Sequence, residues 1–456
     1  MRKTLTEQTF IFITVIKWLL LATILGVVVG IGTAIFLKAL DWGVGLSHQY
    51  RYYYLAMPLA FLFCSWLVRK LLPEEDSHGT EKVIEALHKH SGRLKPIEPI
   101  LNFFTPLITI ISGGSAGKEG PCAEIGAGLS SMLSTLFKLD NYDRRKMVIC
   151  GISAGFAAAF GTPIAGAIYG VEVLYVGSIL YDVLLPSFVA GIISFQVASQ
   201  MGVTYFSHNL SFVPAFTNIF FLKVLLAGIF FGLCSFLLIE TFELTGRITS
   251  KFKPGSILKP LLGGVLLIGF ASLFSTQYLG LGLDTTEGAL LGDKVPGYAF
   301  LAKILFTAIT LNFGGNGGIV TPLFFIGATS GSFFANLFHL DSATFAALGF
   351  TALVAGSANT PIAASIMAVE LFGSPIAPYA ALVCVISFII TGHRSIYPSQ
   401  ILAFRKSRYV KLNTGVELDN LEMHFKLRKN SLPVRFLIFM SDLYERLFSS
   451  RKNSRR

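Results

Sequence analysis

Apolar residues fall along this chain in long blocks, not in the alternation of half-buried strands or the narrow stripe of soluble helices. Trp18–Leu37, Tyr52–Val68, Met147–Val171, Val183–Phe206 and Leu261–Leu283 carry no charge, and each is about long enough to cross the ~30 Å hydrocarbon layer as a helix. Glycine and proline interrupt several blocks, and others merge, so length alone predicts roughly ten to eighteen helical segments. The polar positions concentrate between the blocks. Pro73–Pro99 is charged, with Glu74-Glu75-Asp76-Ser77-His78-Gly79-Thr80-Glu81 near its start. Phe137–Met147 holds Arg144-Arg145-Lys146 and reads as a turn on the cytoplasmic side. The pattern predicts an all-α, multi-pass integral membrane protein.

The blocks divide into two halves, about Phe10–Met201 and Phe216–Phe404, joined through Asn209–Asn218. Gly113-Gly114-Ser115-Ala116-Gly117-Lys118-Glu119-Gly120-Pro121 runs on to Ile125-Gly126-Ala127 in the first half. Gly314-Gly315-Asn316-Gly317-Gly318-Ile319-Val320-Thr321-Pro322 runs on to Ile326-Gly327-Ala328 in the second, 201 residues later. A second pair, Thr162-Pro163-Ile164-Ala165 before Glu172 and Thr360-Pro361-Ile362-Ala363 before Glu370, is offset by 198. Matched glycine and proline breaks in two halves of a membrane chain point to an ion site between discontinuous helices near the midplane. Residues 1–408 therefore read as one transmembrane domain, and 409–456 as a short basic tail.

Composition agrees with this division. The chain is 53% hydrophobic and 14% charged, with a mean hydropathy of +0.65, outside the range of soluble domains. Arg2 and Lys3 before the first block, and the basic residues after Tyr397, place both termini in the cytoplasm. The first block is too long for a signal-peptide core and reads as a retained span. The net charge of +11 thus belongs to topology and contact with anionic lipid, not to nucleic acid. Leu432–Phe448 mixes apolar and charged residues and suits a membrane surface. Five cysteines without CxxC spacing are expected as free, buried thiols.

At the breaks, glycines let the backbone approach an ion, and Pro121 and Pro322 suit a first helical turn. Helix starts carry unpaired N–H groups and the positive end of the dipole, so two of them aimed inward form an anion site. A P-loop does not fit, because Ser112 and Glu119 stand where Gly and Ser/Thr are required. Close packing through small residues would account for one such segment, but not for two in register. Glu119 aligns with Val320, so one copy alone carries an acid. An ionisable group within a membrane marks function, and this carboxylate is itself an anion that competes for the helix ends. Lys118 raises the positive potential beside it. His88 and His90 point apart on a helix and read as a solvated segment, with no metal site. No nucleophile–base set suggests an enzyme, and no cofactor is expected.

Gly117–Pro121 resembles the GREGP/GKEGP motif of the CLC chloride channel and transporter family. Gly317–Pro322 resembles its GxFxP motif, Ser395-Ile396-Tyr397 the region of its pore tyrosine, and Asp76–Gly92 the region of its GSGIP motif. The likeness covers most of Phe10–Ser407. It implies an inverted repeat, a homodimer with one pore per subunit, and bound chloride or a similar monovalent anion. It casts Glu119 as the gating glutamate. The amides of Ile319 and Val320 and the Tyr397 hydroxyl become anion ligands, and Gly117, Lys118 and Gly120 line an outer site. His78 replaces the usual serine ligand, and Val320 the usual phenylalanine. Val173 stands where many antiporters of the family keep a proton-relaying glutamate. The resemblance therefore implies a channel gated by Glu119, with a proton-coupled or fluoride- or nitrate-carrying exchanger as the alternative. Glu124 is an additional acid for a relay or a structural hydrogen bond; Glu172 and Glu370 read as helix-end or packing acids.

Overall fold

A computed structural model describes residues 2–72, 79–206, 210, 217–253, 255–407, 409–421, 424, 425 and 435. The first half forms α1 (Arg2–Ser47), α2 (Met57–Leu71), α3 (Thr80–Lys89), α4 (Glu98–Ile111), α5 (Glu119–Leu136), α6 (Asn141–Phe160), α7 (Pro163–Glu172) and α8 (Tyr181–Gln200). The second forms α9 (Asn218–Thr249), α10 (Leu258–Leu273), α11 (Leu283–Leu291), α12 (Ala299–Asn312), α13 (Val320–Leu337), α14 (Ser342–Ala358), α15 (Pro361–Phe372) and α16 (Ala377–Ile390). The halves correspond helix for helix. α4 and α12, α5 and α13, and α6 and α14 all start 201 residues apart. The offset then drops to 198 because α14 has 17 residues where α6 has 20.

Among the described residues, five helices are long and apolar enough to cross a membrane: Thr6–Ser47, Tyr53–Leu71, Tyr181–Gln200, Asn218–Thr249 and Val320–Leu337. Two expected blocks are broken. Met147–Val171 divides into α6 and α7, because Gly161 adopts φ +73 as the cap and Pro163 opens the next helix. Leu261–Leu283 ends its helix at Leu273 and turns through Gly280 and Gly282, both at positive φ. The connector Asn209–Asn218 and the segment Leu432–Phe448 lie largely outside the described residues.

The pairs α5–α6 and α13–α14 occupy the centre and are buried along most of their length. Glycine sets their approach. A Cβ on Gly126 would stand 2.2 Å from the Gly151 carbonyl oxygen, and one on Gly327 2.3 Å from that of Gly349. Helices in lipid associate through such close backbone contact. All five cysteines are free and buried. After α16 the chain returns to the first half, where β2 (Ile401–Leu402) pairs in parallel with β1 (Tyr175–Val176).

Candidate anion site

The two glycine breaks meet. Gly117 N donates to Gly318 O at 2.6 Å and Gly318 N to Gly117 O at 2.8 Å, an antiparallel bridge between residues 201 apart. Because these positions are equivalent in the repeat, a local two-fold axis passes between them. Threonines enforce the same exchange. Thr109 Oγ1 accepts from Asn316 N at 2.9 Å, and Thr310 Oγ1 from Ser115 N at 3.0 Å. Gly120 packs against Gly318 so closely that a Cβ on it would lie 2.7 Å from the Gly318 Cα. α5 and α13 therefore begin side by side.

Glu119, the first residue of α5, reaches across the axis. Its carboxylate accepts from Thr321 N at 3.0 Å and from Thr321 Oγ1, while that same Oγ1 accepts from Lys118 N at 3.2 Å. Glu119 is 3% exposed. The acid of one repeat thus sits on the first turn of the other repeat's helix, where the N–H groups and the dipole favour an anion. Thr321 was not singled out from the sequence, although the hydroxyl next to Val320 was there to be read. Ile319 and Val320 are buried at the same helix start, and their amides make no hydrogen bond among the described residues. The Gly117 amide is spent on Gly318, so its expected role toward an anion passes to the bridge that holds the breaks together. On one side, Asp41, Lys118, Glu119, Phe160, Thr321 and Phe324 line a cavity of about 470 Å³.

Tyr397 is 4% exposed. Its hydroxyl lies beside those of Tyr169 on α7 and Thr80 on α3, and neither tyrosine oxygen makes a well-aligned hydrogen bond among the described residues. A buried hydroxyl without a well-aligned partner forfeits up to about 1–3 kcal/mol, and these two offer adjacent donors. Sequence reading missed Tyr169, since a tyrosine in an apolar helix has no spacing signature. The turn that carries Tyr397 is firmly held. Ser399 N donates to Glu81 Oε1 at 2.7 Å, and the Ser399 hydroxyl reaches the same oxygen. Gln400 Nε2 donates to Val173 O at 2.6 Å and Ala358 O at 2.8 Å.

The remaining acids are committed elsewhere. Glu172 accepts from Ile362 N at 3.1 Å and Ala363 N at 2.8 Å. Glu370 accepts from Ile164 N at 3.0 Å and Ala165 N at 2.8 Å. Each caps the other half's helix, the first of the two roles read from the sequence. Glu124 is buried and accepts from Thr80 Oγ1 at 3.3 Å, in the surroundings of the Lys82–Glu98 ion pair. Val173, buried at the end of α7, offers no titratable group. His78 lies outside the described residues. His88 is not solvated as expected: its ring is buried edge-on against Tyr175 at 5.2 Å. Among the described residues no group of three His, Cys, Asp or Glu side chains is placed to hold a metal ion.

Comparison with known proteins agrees with the fold. A family profile described as voltage gated chloride channel matches residues 60–392. A chloride/fluoride channel protein of Pseudomonas syringae pv. tomato is 34% identical over 408 residues, 88% of this chain and 90% of that one. The H(+)/Cl(-) exchange transporter ClcA of Klebsiella pneumoniae is 26% identical over 393 residues, covering 77% of this chain and 80% of its own length. The crystal structure of a CLC-type fluoride/proton antiporter superposes with a TM-score of 0.79 at 27% identity, over 84% of this chain and 97% of that one.

Proposed function

The chain belongs to the voltage-gated chloride channel (CLC) family of membrane anion transporters, and from that membership we propose that it exchanges a small monovalent anion, fluoride above all, against protons through a path closed by Glu119. One observation carries the proposal: the Glu119 carboxylate occupies the helix start of α13, bonded to Thr321 N and Oγ1 and buried. An anion gains that seat only when the carboxylate leaves it, and a carboxylate leaves a buried seat most cheaply as the neutral acid. Anion entry and proton uptake then share one side chain. Fluoride suits the place, since it accepts strongly and takes the position of a carboxylate oxygen between an N–H and an O–H. Two of the similar proteins name fluoride in their descriptions, one as a channel and one as a proton antiporter.

In this reading the anion moves from the cavity above Glu119 to the amides of Ile319 and Val320, and on to the paired hydroxyls of Tyr169 and Tyr397. Replacing the hydration shell by such donors is how selective ion sites work. Uncoupled conduction is the second reading. It is favoured by Val173 and by Glu172, whose carboxylate is spent on Ile362 and Ala363, so the end of α7 keeps no free acid. Exposed Ile164 and Ile362 stand at matching positions of α7 and α15 and form the face for the homodimer that the family likeness implies. Anion and proton flux measured together in liposomes decide the mode. A fluoride gradient should drive protons uphill, and Glu119→Gln should abolish proton movement while anion flux persists. Anion flux without proton movement in the unaltered protein would leave the channel reading in place. Unchanged coupling in the variant would remove Glu119 from the mechanism.

A further inference from the structure

We propose that the cavity at the shared end of α2, α9 and α10 binds the phosphate of an acidic phospholipid headgroup. Ser65, Arg69, Ser250, Lys253, Ser256 and Lys259 line a space of about 620 Å³ there, and among the described residues no acidic side chain does. Arg69 Nε donates to Ser65 O at 3.2 Å, which turns the rest of the guanidinium over the loop between α9 and α10. A Cβ on Gly255 would stand 3.0 Å from Arg69 Nη1. Lys259 lies near enough to Arg69 for their charges to repel. Three cations from two helices and a loop therefore converge on a space that no acid of the described residues enters.

The neighbouring cavity makes the contrast. There Arg394 pairs with Glu240 at 2.7 Å and Arg247 with Glu243 at 2.9 Å, and Asp419 adds a third acid. The two arginines of that cavity are thus neutralised within the protein, and among the described residues no acid pairs with the Arg69 group. A phosphate, with its charge and several acceptor oxygens, matches a set of ammonium, guanidinium and hydroxyl donors.

The surroundings favour a headgroup as its source. Phe63 and Trp66 on α2, with Leu258 and Val265 on α10, are exposed and offer an apolar surface for acyl chains beside the cavity. Lys70 lies 4.9 Å from the Trp66 ring centroid, the pairing of aromatic and cation found at a membrane–water interface. α1 leads out and α2 leads back, so this end shares the side of the N-terminus, and the positive-inside rule makes it cytoplasmic. Basic cavities between helices on that side take anionic headgroups.

Native mass spectrometry of the full chain, equilibrated with mixed phosphatidylcholine and phosphatidylglycerol, tests the site. Phosphatidylglycerol should be retained preferentially. Arg69→Ala, Lys253→Ala and Lys259→Ala should each weaken retention roughly fivefold, and together on the order of a hundredfold. Lys251→Ala, at the same end but outside the cavity, should change nothing. Equal retention of the two lipids by the unaltered protein overturns the proposal whatever the variants do, as does full retention by a folded triple variant. A parallel arm titrates inorganic phosphate. Displacement of the retained lipid supports a phosphate site, whereas phosphate binding without lipid retention overturns the headgroup as its source.

Discussion

Thr321 is the residue on which the gate hangs, because its amide and hydroxyl both serve Glu119. Thr321→Val keeps the shape and removes the hydroxyl. A hydrogen bond to a charged group contributes about 1.5–3 kcal/mol, so the seat should empty on the order of ten- to a hundredfold more often. Initial anion flux at neutral pH should rise accordingly, and an unchanged rate would show that Thr321 does not hold the gate. The hydroxyl pair gives a test of opposite sign. Tyr169→Phe and Tyr397→Phe each remove one donor and should each weaken anion binding several-fold, roughly 1 kcal/mol, by calorimetry. A loss confined to Tyr397→Phe would strike Tyr169 from the site. Glycines, a proline and an odd acid marked Glu119 and Val320 in the sequence, and the family resemblance marked Tyr397. Thr321 and Tyr169 gave no such mark: their partners lie 202 residues away for Thr321 and in the turn after α16 for Tyr169, and contact at that range leaves no local spacing.

At the scale of helices, the most telling contacts are the two exchanged caps. Glu172 is 4% exposed and Glu370 is partly buried, so the cost of removing them should differ. Glu172→Ala strands two N–H groups of α15 and should cost about 2–4 kcal/mol, with a smaller loss for Glu370→Ala. Thermal unfolding in detergent should rank Glu172→Ala below Glu370→Ala, with each Gln variant nearer the unaltered protein. Equal melting of all four would mean that the caps do not hold the halves together. The matched Thr-Pro-Ile-Ala and Glu positions were legible as a repeat, and even the change of offset has a cause in the shorter α14. What the pattern of apolar blocks did not reveal was where they break. Hydropathy does not distinguish Met147–Val171 as one span from two helices joined at Gly161, because the turn through Gly161, Thr162 and Pro163 adds no charge to the block.

For the whole molecule, the local two-fold axis at Gly117 and Gly318 leads to a prediction of topology. Both termini should lie in the cytoplasm, and Asn218 at the start of α9 should lie outside, as an axis in the membrane plane requires. Peptide tags at these three places, probed with an impermeant reagent in right-side-out vesicles, check it. Labelling of either terminus, or protection at Asn218, would refute it. The fold class and the repeat could be read in advance because they rest on composition and register, which the chain carries locally. The lipid-side cations of Arg69, Lys253 and Lys259 could not, since only folding brings α2 to the loop between α9 and α10. The exchanged caps also have a meaning in time. Glu370 is made 205 residues after Ala165, a delay of roughly 10–40 s at ribosomal speed. For that interval α7 has its first N–H groups open in the nascent chain, whereas α15 meets a Glu172 already waiting. A contact symmetric in space is thus one-sided during synthesis, and the first half must be sheltered until the second arrives.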